Sequence, residues 1–257
     1  MSLNARQEHI VDRLKRDGSV EVEVLSHDLG VTTQTIRRDL AELCGKGLAS
    51  RTHGGARRLI SSASVGYEER RLENSAGKIA IGNLAAGLIP DGSSVILSIG
   101  TTTEQVANAL DLHQDLTVIS NNINVINTLR RSRAKALILV GGTVRPSDGA
   151  IVGEDAVEHI SRYKADFAVI GTSALDEDGS VLDFDPREVA VARAILRNAR
   201  TRILVTGVSK FETKATVRIC NVDALDFVVM DRAPPRPFRD ALRDAGTTLI
   251  LPDPPLN

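Results

Sequence analysis

The stretch Gly100-Thr101-Thr102-Thr103 sets a glycine and three hydroxyls between an apolar run, V-I-L-S-I at 95–99, and a helical segment from Glu104 to Leu110. Unpaired backbone N–H groups at a helix N-terminus carry partial positive charge, so this loop suits an anion, most simply a phosphate. It has neither the Lys-Ser/Thr ending of a nucleoside-triphosphate loop nor G-x-G-x-x-G, so neither a triphosphate nor a dinucleotide is indicated. Taken alone it is equally a helix cap with no ligand. Four further loops follow apolar runs: Ser120-Asn121-Asn122, Gly141-Gly142 with Arg145 and Asp148 beyond, Gly171-Thr172-Ser173, and Ser209-Lys210. Amides, hydroxyls and one or two cations of this kind suit a small phosphorylated molecule. Each has a plain alternative, since Asn and Gly are turn formers and Lys210 reads equally as a surface charge.

A second constellation lies near the N-terminus, where Thr33, Gln34, Thr35, Arg37 and Arg38 are the polar positions around the apolar spacing Ile36, Leu40 and Leu43. Gln can pair with adenine in two places and Arg with guanine, while further cations hold phosphates and fix register. The segment Arg51-Thr52-His53-Gly54-Gly55-Ala56-Arg57-Arg58 reads as a tight turn between short extended pieces, with cations on both sides. From Gln34 to Arg58 there are six basic and two acidic residues, an electrostatic footprint for phosphates in a chain whose formal charge is -1. Charge runs of this kind also occur on merely solvated helix faces.

The elements that must position these residues differ between the two ends. Residues 6–17 place Ile10, Val11 and Leu14 at helical spacing before Gly18, and a second short helix is predicted over Glu23 to Leu29, stopping at Gly30. Thr32 then caps a third helix, which makes a helix-turn-helix with Arg51 to Arg58 as its wing. Cys44 falls at the end of that third helix. Small and Ser-rich residues at 59–66 read as a linker, so the predicted organisation is a winged helix-turn-helix at 1–58, a linker at 59–66 and a larger domain at 67–257. In that domain six apolar runs, at 95–99, 116–120, 136–140, 167–171, 203–207 and 227–230, alternate with helical segments. Runs of this length suit parallel strands buried on both faces, which predicts a Rossmann-like α/β sheet with its ligand at the strands' carboxyl ends.

Composition narrows the setting. At 257 residues, 42% hydrophobic and 25% charged, the chain can bury a core. Two distant cysteines, Cys44 and Cys220, in no ligand spacing argue against a disulfide framework or a metal site. A charged N-terminus and the lack of a span-length apolar run predict a cytoplasmic protein with no membrane partner.

V-T-T-Q-T-I-R-R-D-L at 31–40 followed by R-T-H-G-G-A at 51–56 closely resembles the winged helix-turn-helix of the DeoR family of bacterial transcriptional repressors. The strings I-G-T-T (99–102), N-N-I-N-V-I-N-T-L (121–129), G-G-T-V-R (141–145), D-G-A-I-V-G-E (148–154), D-G-S-V-L-D-F-D (178–185) and V-S-K-F (208–211) resemble its effector domain, whose fold is related to sugar-phosphate isomerases. The resemblance runs from Arg6 to about Pro235. It implies a homo-oligomeric repressor that double-stranded operator DNA releases when a phosphorylated metabolite binds, either glycerol-3-phosphate or another sugar phosphate. The DNA-binding residues implied are Thr33, Gln34, Thr35, Arg37, Arg38, Arg51, His53 and Arg57. The effector residues implied are Ser98, Gly100, Thr101, Thr102, Thr103, Ser120, Asn121, Gly141, Gly142, Arg145, Asp148, Gly171 and Lys210, with no cofactor. The family pattern places acids where this chain has Ser98 and Gly207, which leaves room for a larger effector such as an opine-type phosphodiester. Catalysis by Asp148, Glu154, Asp183 or Glu188 is the other alternative, and the DNA-binding head and the missing loop acids count against it.

Overall fold

The computed structural model describes residues 3–45, 48–52, 54–58 and 66–253, and the chain divides into two compact units, Met1–Ser61 and Ser62–Asn257. In the first, α1 (Ala5–Asp17) opens on a reciprocal cap between Asn4 and Gln7 and closes at Gly18, whose φ of 75° only glycine adopts cheaply. A short strand β1 (Ser19–Glu21), absent from the sequence expectation, precedes α2 (Val22–Asp28) and α3 (Thr33–Gly45). β2 (Ala49–Thr52) and β3 (Gly55–Arg58) form the wing, in a sheet ordered β1-β3-β2. Gly55 is required there, because a Cβ at that position would fall 1.9 Å from the carbonyl oxygen of Val20.

The expected apolar face of α3 is buried: Ile36, Leu40 and Leu43 join Ile10, Leu14, Val20, Val22, Leu25, Ala49 and Ala56 in one core. The Asp of the T-I-R-R-D-L string has a structural task. Asp39 is 4% exposed and accepts from Arg6 Nε at 2.5 Å, while Gln7 Nε2 donates to Glu42 at 2.8 Å, so α1 is clamped to α3.

In the second unit, α4 (Tyr67–Leu72) and α5 (Ser75–Ala86) precede the alternation β4 (Ser94–Leu97), α6 (Thr101–Leu110), β5 (Thr117–Ser120), α7 (Ile123–Leu129), β6 (Ala136–Leu139), α8 (Glu154–Ser161) and β7 (Ala165–Ile170). After β8 (Ala174–Leu175) and β9 (Ser180–Asp183) come α9 (Pro186–Arg197), β10 (Ala199–Thr206), β11 (Val217–Asn221), β12 (Phe227–Met230), α10 (Arg236–Ala245) and β13 (Thr248–Ile250). Seven strands make a parallel sheet in the order β13-β12-β10-β7-β4-β5-β6, with β11-β9-β8 as a small antiparallel sheet. Two apolar clusters cover the sheet's two faces, as parallel strands require.

All six apolar runs form strands. The run at 136–140 is a correction in burial: β6 is the sheet edge, and its Leu139 is 39% exposed rather than covered on both faces. The chain leaves β4 for β5 and β6, then returns to β7 on the other side of β4. This reversal opens a crevice at the carboxyl ends of β4 and β7, where ligands of open α/β sheets bind.

Candidate functional site

The crevice holds a cavity whose lining includes Ser98, Gly100, Thr101, Thr102, Thr103, Asp148, Gly171 and Lys210 from the expected set. α6 begins at Thr101, three residues earlier than its sequence predicts, so the three threonines are its first turn and Gly100, at φ 131°, is its cap. The leading N–H groups of that turn have no partners within the helix, which leaves them for an anion. Thr103 is fully buried and its hydroxyl donates to the Ile99 carbonyl at 3.3 Å, so it anchors the loop rather than facing a ligand.

Four expected residues are elsewhere. Ser120 is fully buried with its hydroxyl donating to the Leu97 carbonyl at 2.8 Å, and Asn121 Nδ2 donates to the Ile151 carbonyl at 2.9 Å. Both tie strand ends together, and the neighbouring Asn122 is the residue of that loop that reaches the cavity. Gly141 and Gly142 are exposed beyond the edge strand, where the Gly141 N–H donates to His159 Nδ1 at 3.0 Å. Arg145 is also corrected. Its guanidinium donates to both oxygens of Asp148, at 2.8 and 2.6 Å, and to Glu188 at 2.5 Å, in an adjoining concavity. These bonds, to Asp148 first, hold it protonated and occupied.

Three groups of charged and polar residues complete the cavity. Arg70 of α4 and Lys78 of α5 join Lys210, which stands on a 3-10 turn, Val208–Glu212. Burial, then the charge of Lys210, pushes the Lys78 ammonium down to about 8, and burial lowers Lys210 as well. Charged ammonium groups held at such a cost favour an anionic guest. Asp183 and Glu188 form an acidic wall whose carboxyls burial pushes up, Glu188 further raised by Asp183. Carboxyl oxygens at such a wall can accept hydrogen bonds from ligand hydroxyls. Glu104, 7% exposed, accepts from Tyr67 Oη at 2.6 Å, Asn122 Nδ2 at 3.1 Å and Asn124 Nδ2 at 3.0 Å. Spacing on α4 and α5 resembles an ordinary solvated face, which is why Arg70 and Lys78 escape sequence reading.

Ser98 lines the cavity together with the apolar residues Ala192, Val205 and Ile219. The carboxylate near Gly207 is Asp231, 2% exposed, which accepts from the Val208 N–H at 2.8 Å and Asn74 Nδ2 at 2.8 Å. It fastens the Lys210 turn to the start of α5. Glu154 is exposed in the first turn of α8 and does not line the cavity.

In the head, Gln34, Arg37, Arg38 and Arg51 are exposed. Arg38 lies 3.7 Å from Glu42, and Arg37 forms no ion pair among the described residues. Thr33 and Thr35 are only half-exposed, a correction to their outward placement, and the Thr32 and Thr35 hydroxyls lie 2.9 Å apart as the N-terminal cap of α3. His53 and the side chain of Arg57 lie outside the described residues, as does the expected linker up to residue 65. Among the described residues no His, Cys, Asp and Glu cluster suits a metal, and no helix is long and apolar enough to cross a membrane.

The family model of the DeoR-like helix-turn-helix domain matches residues 6–62, and that of the DeoR C terminal sensor domain matches residues 73–232. The chain is 39% identical to the glycerol-3-phosphate regulon repressor of Escherichia coli K12, across 98% of this chain and 100% of that protein. It is 33% identical to the HTH-type transcriptional repressor CsqR of the same organism, over 97% and 95% of the two, and 31% identical to the transcriptional repressor AccR of Agrobacterium fabrum, over 90% of each. Ribose 5-phosphate isomerase A of Methanocaldococcus jannaschii aligns with 54% of this chain and 55% of its own at 15% identity and a TM-score of 0.39, too weak a likeness to carry an inference. With both domain models matched and full-length relatives named as repressors, the chain belongs to the DeoR family of DNA-binding transcriptional repressors and is a regulator rather than an enzyme.

Proposed function

We propose that this cytoplasmic repressor controls a carbohydrate or polyol catabolic operon and leaves its operator when a small phosphorylated effector, glycerol-3-phosphate or another sugar phosphate, enters the sensor-domain cavity. The observation that carries this reading is one cavity combining the N-terminus of α6, which no side chain caps, with Arg70, Lys78 and Lys210. A phosphate dianion is the common ligand such a set satisfies. Glutamine and arginine side chains exposed on α3, with Arg51 on the wing, are suited to reading a major groove and holding its flanking phosphates. Operator half-sites repeat with two-fold symmetry, so the active species is a homo-oligomer.

Of the 13 effector residues expected, the working site keeps Ser98, Gly100, Thr101, Thr102, Asp148, Gly171 and Lys210 and adds Arg70, Lys78 and Asn122. A larger effector, such as an opine-type phosphodiester, is the second reading. The small Ser98 and the apolar residues that line the same cavity favour it.

Thermal melting against glycerol-3-phosphate, glycerol, inorganic phosphate and larger sugar phosphates tests the reading, because a ligand of the folded state alone raises its stability. Glycerol-3-phosphate raises the melting temperature and glycerol does not. A shift only with larger phosphates selects the second reading, and no shift with any phosphate refutes the effector site.

A further inference from the structure

α4 follows the expected linker directly, and none of its residues is buried, so apolar packing does not fix it to the sensor domain. Polar bonds do. The Tyr67 hydroxyl donates to Glu104 Oε2 at 2.6 Å and accepts from Asn124 Nδ2 at 3.0 Å, and the Arg70 carbonyl accepts from Lys78 Nζ. Glu104 stands in the first turn of α6, the same turn that offers its N–H groups to the cavity.

Arg70 supplies the second observation. It lines the same cavity as Gly100 to Thr103, and its Nε is buried with no hydrogen-bond partner among the described residues. A buried donor left unpaired is costly, and a guanidinium matches a phosphate in both charge and shape. A phosphate at the α6 N-terminus therefore meets Arg70 and brings negative charge within one turn of Glu104. That charge makes the Glu104 carboxylate a stronger acceptor for the Tyr67 proton. Two side chains of one otherwise loosely held helix then respond to the same event.

We propose that α4 is the coupling element: Arg70 answers the effector's anion, the Tyr67–Glu104 hydrogen bond tightens α4 against α6, and the exit of the chain at Gly66 toward the DNA-binding head changes with occupancy. Tyr67 is a positioning residue in this scheme and Arg70 a ligand contact. The inference rests on the phosphorylated-effector reading above.

Hydrogen exchange and operator binding of the full-length protein test it, with glycerol-3-phosphate as the probe and fructose-6-phosphate as a larger one. Exchange at residues 67–72 slows together with exchange at 100–104. Tyr67→Phe keeps the effector-free operator affinity within about two-fold and still shows a ligand-induced rise in melting temperature. Saturating ligand weakens its operator binding by less than about three-fold, where the unaltered protein loses about ten-fold or more. Protection confined to 100–104, or full release by Tyr67→Phe, overturns the coupling role and leaves the effector reading standing. If neither probe raises the melting temperature or slows exchange at 100–104, the effector reading falls and this inference with it.

Discussion

Burial and the nearby charge of Lys210 push the Lys78 ammonium down to about 8, so in the free protein it releases its proton as the pH rises through that value. A bound phosphate holds the proton on. Effector affinity is therefore greatest between the second ionisation of a phosphate monoester, at about pH 6, and the Lys78 value of about 8, and it falls as the pH rises further. Calorimetry in buffers of different ionisation heat checks this by detecting proton uptake on binding near pH 8, the Lys78 value. Equal affinity at neutral and alkaline pH with no uptake contradicts it. Arg37 carries the corresponding prediction in the head, since it is exposed and makes no ion pair among the described residues. Arg37→Ala weakens operator binding by about 1–3 kcal/mol while the sensor domain melts unchanged, and an unchanged operator affinity removes Arg37 from the DNA interface.

At the scale of elements, α3 depends on a core of ten buried residues, with Ile36 fully enclosed. Ile36→Ala costs roughly 2–5 kcal/mol, a large share of what so small a domain has. A melt followed by circular dichroism then shows the head unfolding at lower temperature, operator binding is lost, and effector binding by the sensor domain persists. Gly82 governs the other site. A Cβ there would fall 2.6 Å from the Gln105 carbonyl oxygen, so Gly82→Ala forces α5 away from α6. The expected cost is about 1–3 kcal/mol in the sensor domain's stability, with weaker effector binding because α5 carries Lys78 and α6 the loop proposed to hold the phosphate. Undiminished stability and affinity would show that this close packing does not hold the cavity in shape.

The same elements explain what was legible in the sequence. Branched apolar runs announced the parallel strands, and Ile36, Leu40 and Leu43 announced the buried face of α3, because burial on a fixed period leaves a pattern along the chain. β9 and β11 leave no such pattern, because polar residues interrupt them and they are stabilised by antiparallel pairing between distant segments. Ser120 and Asn121 looked like ligand contacts by type and position, yet hydrogen bonds to Leu97 and Ile151 turn them inward. Arg70 and Lys78 leave no signal in the sequence for the opposite reason. Their place in the cavity is set by the path of α4 and α5 over the sheet, which no local spacing encodes.

For the whole molecule, the two compact units divide recognition and sensing, and only a coupling free energy links them. An effector can weaken operator binding by no more than its differential affinity for the DNA-competent and released arrangements. The decisive measurement is operator affinity of the full-length protein with and without a saturating phosphorylated effector, in parallel for Lys210→Ala. The unaltered protein is expected to lose roughly 5- to 150-fold in affinity, and Lys210→Ala to keep the same effector-free affinity with a response that needs far more ligand. An effector that raises the melting temperature yet leaves operator affinity unchanged would contradict this expectation.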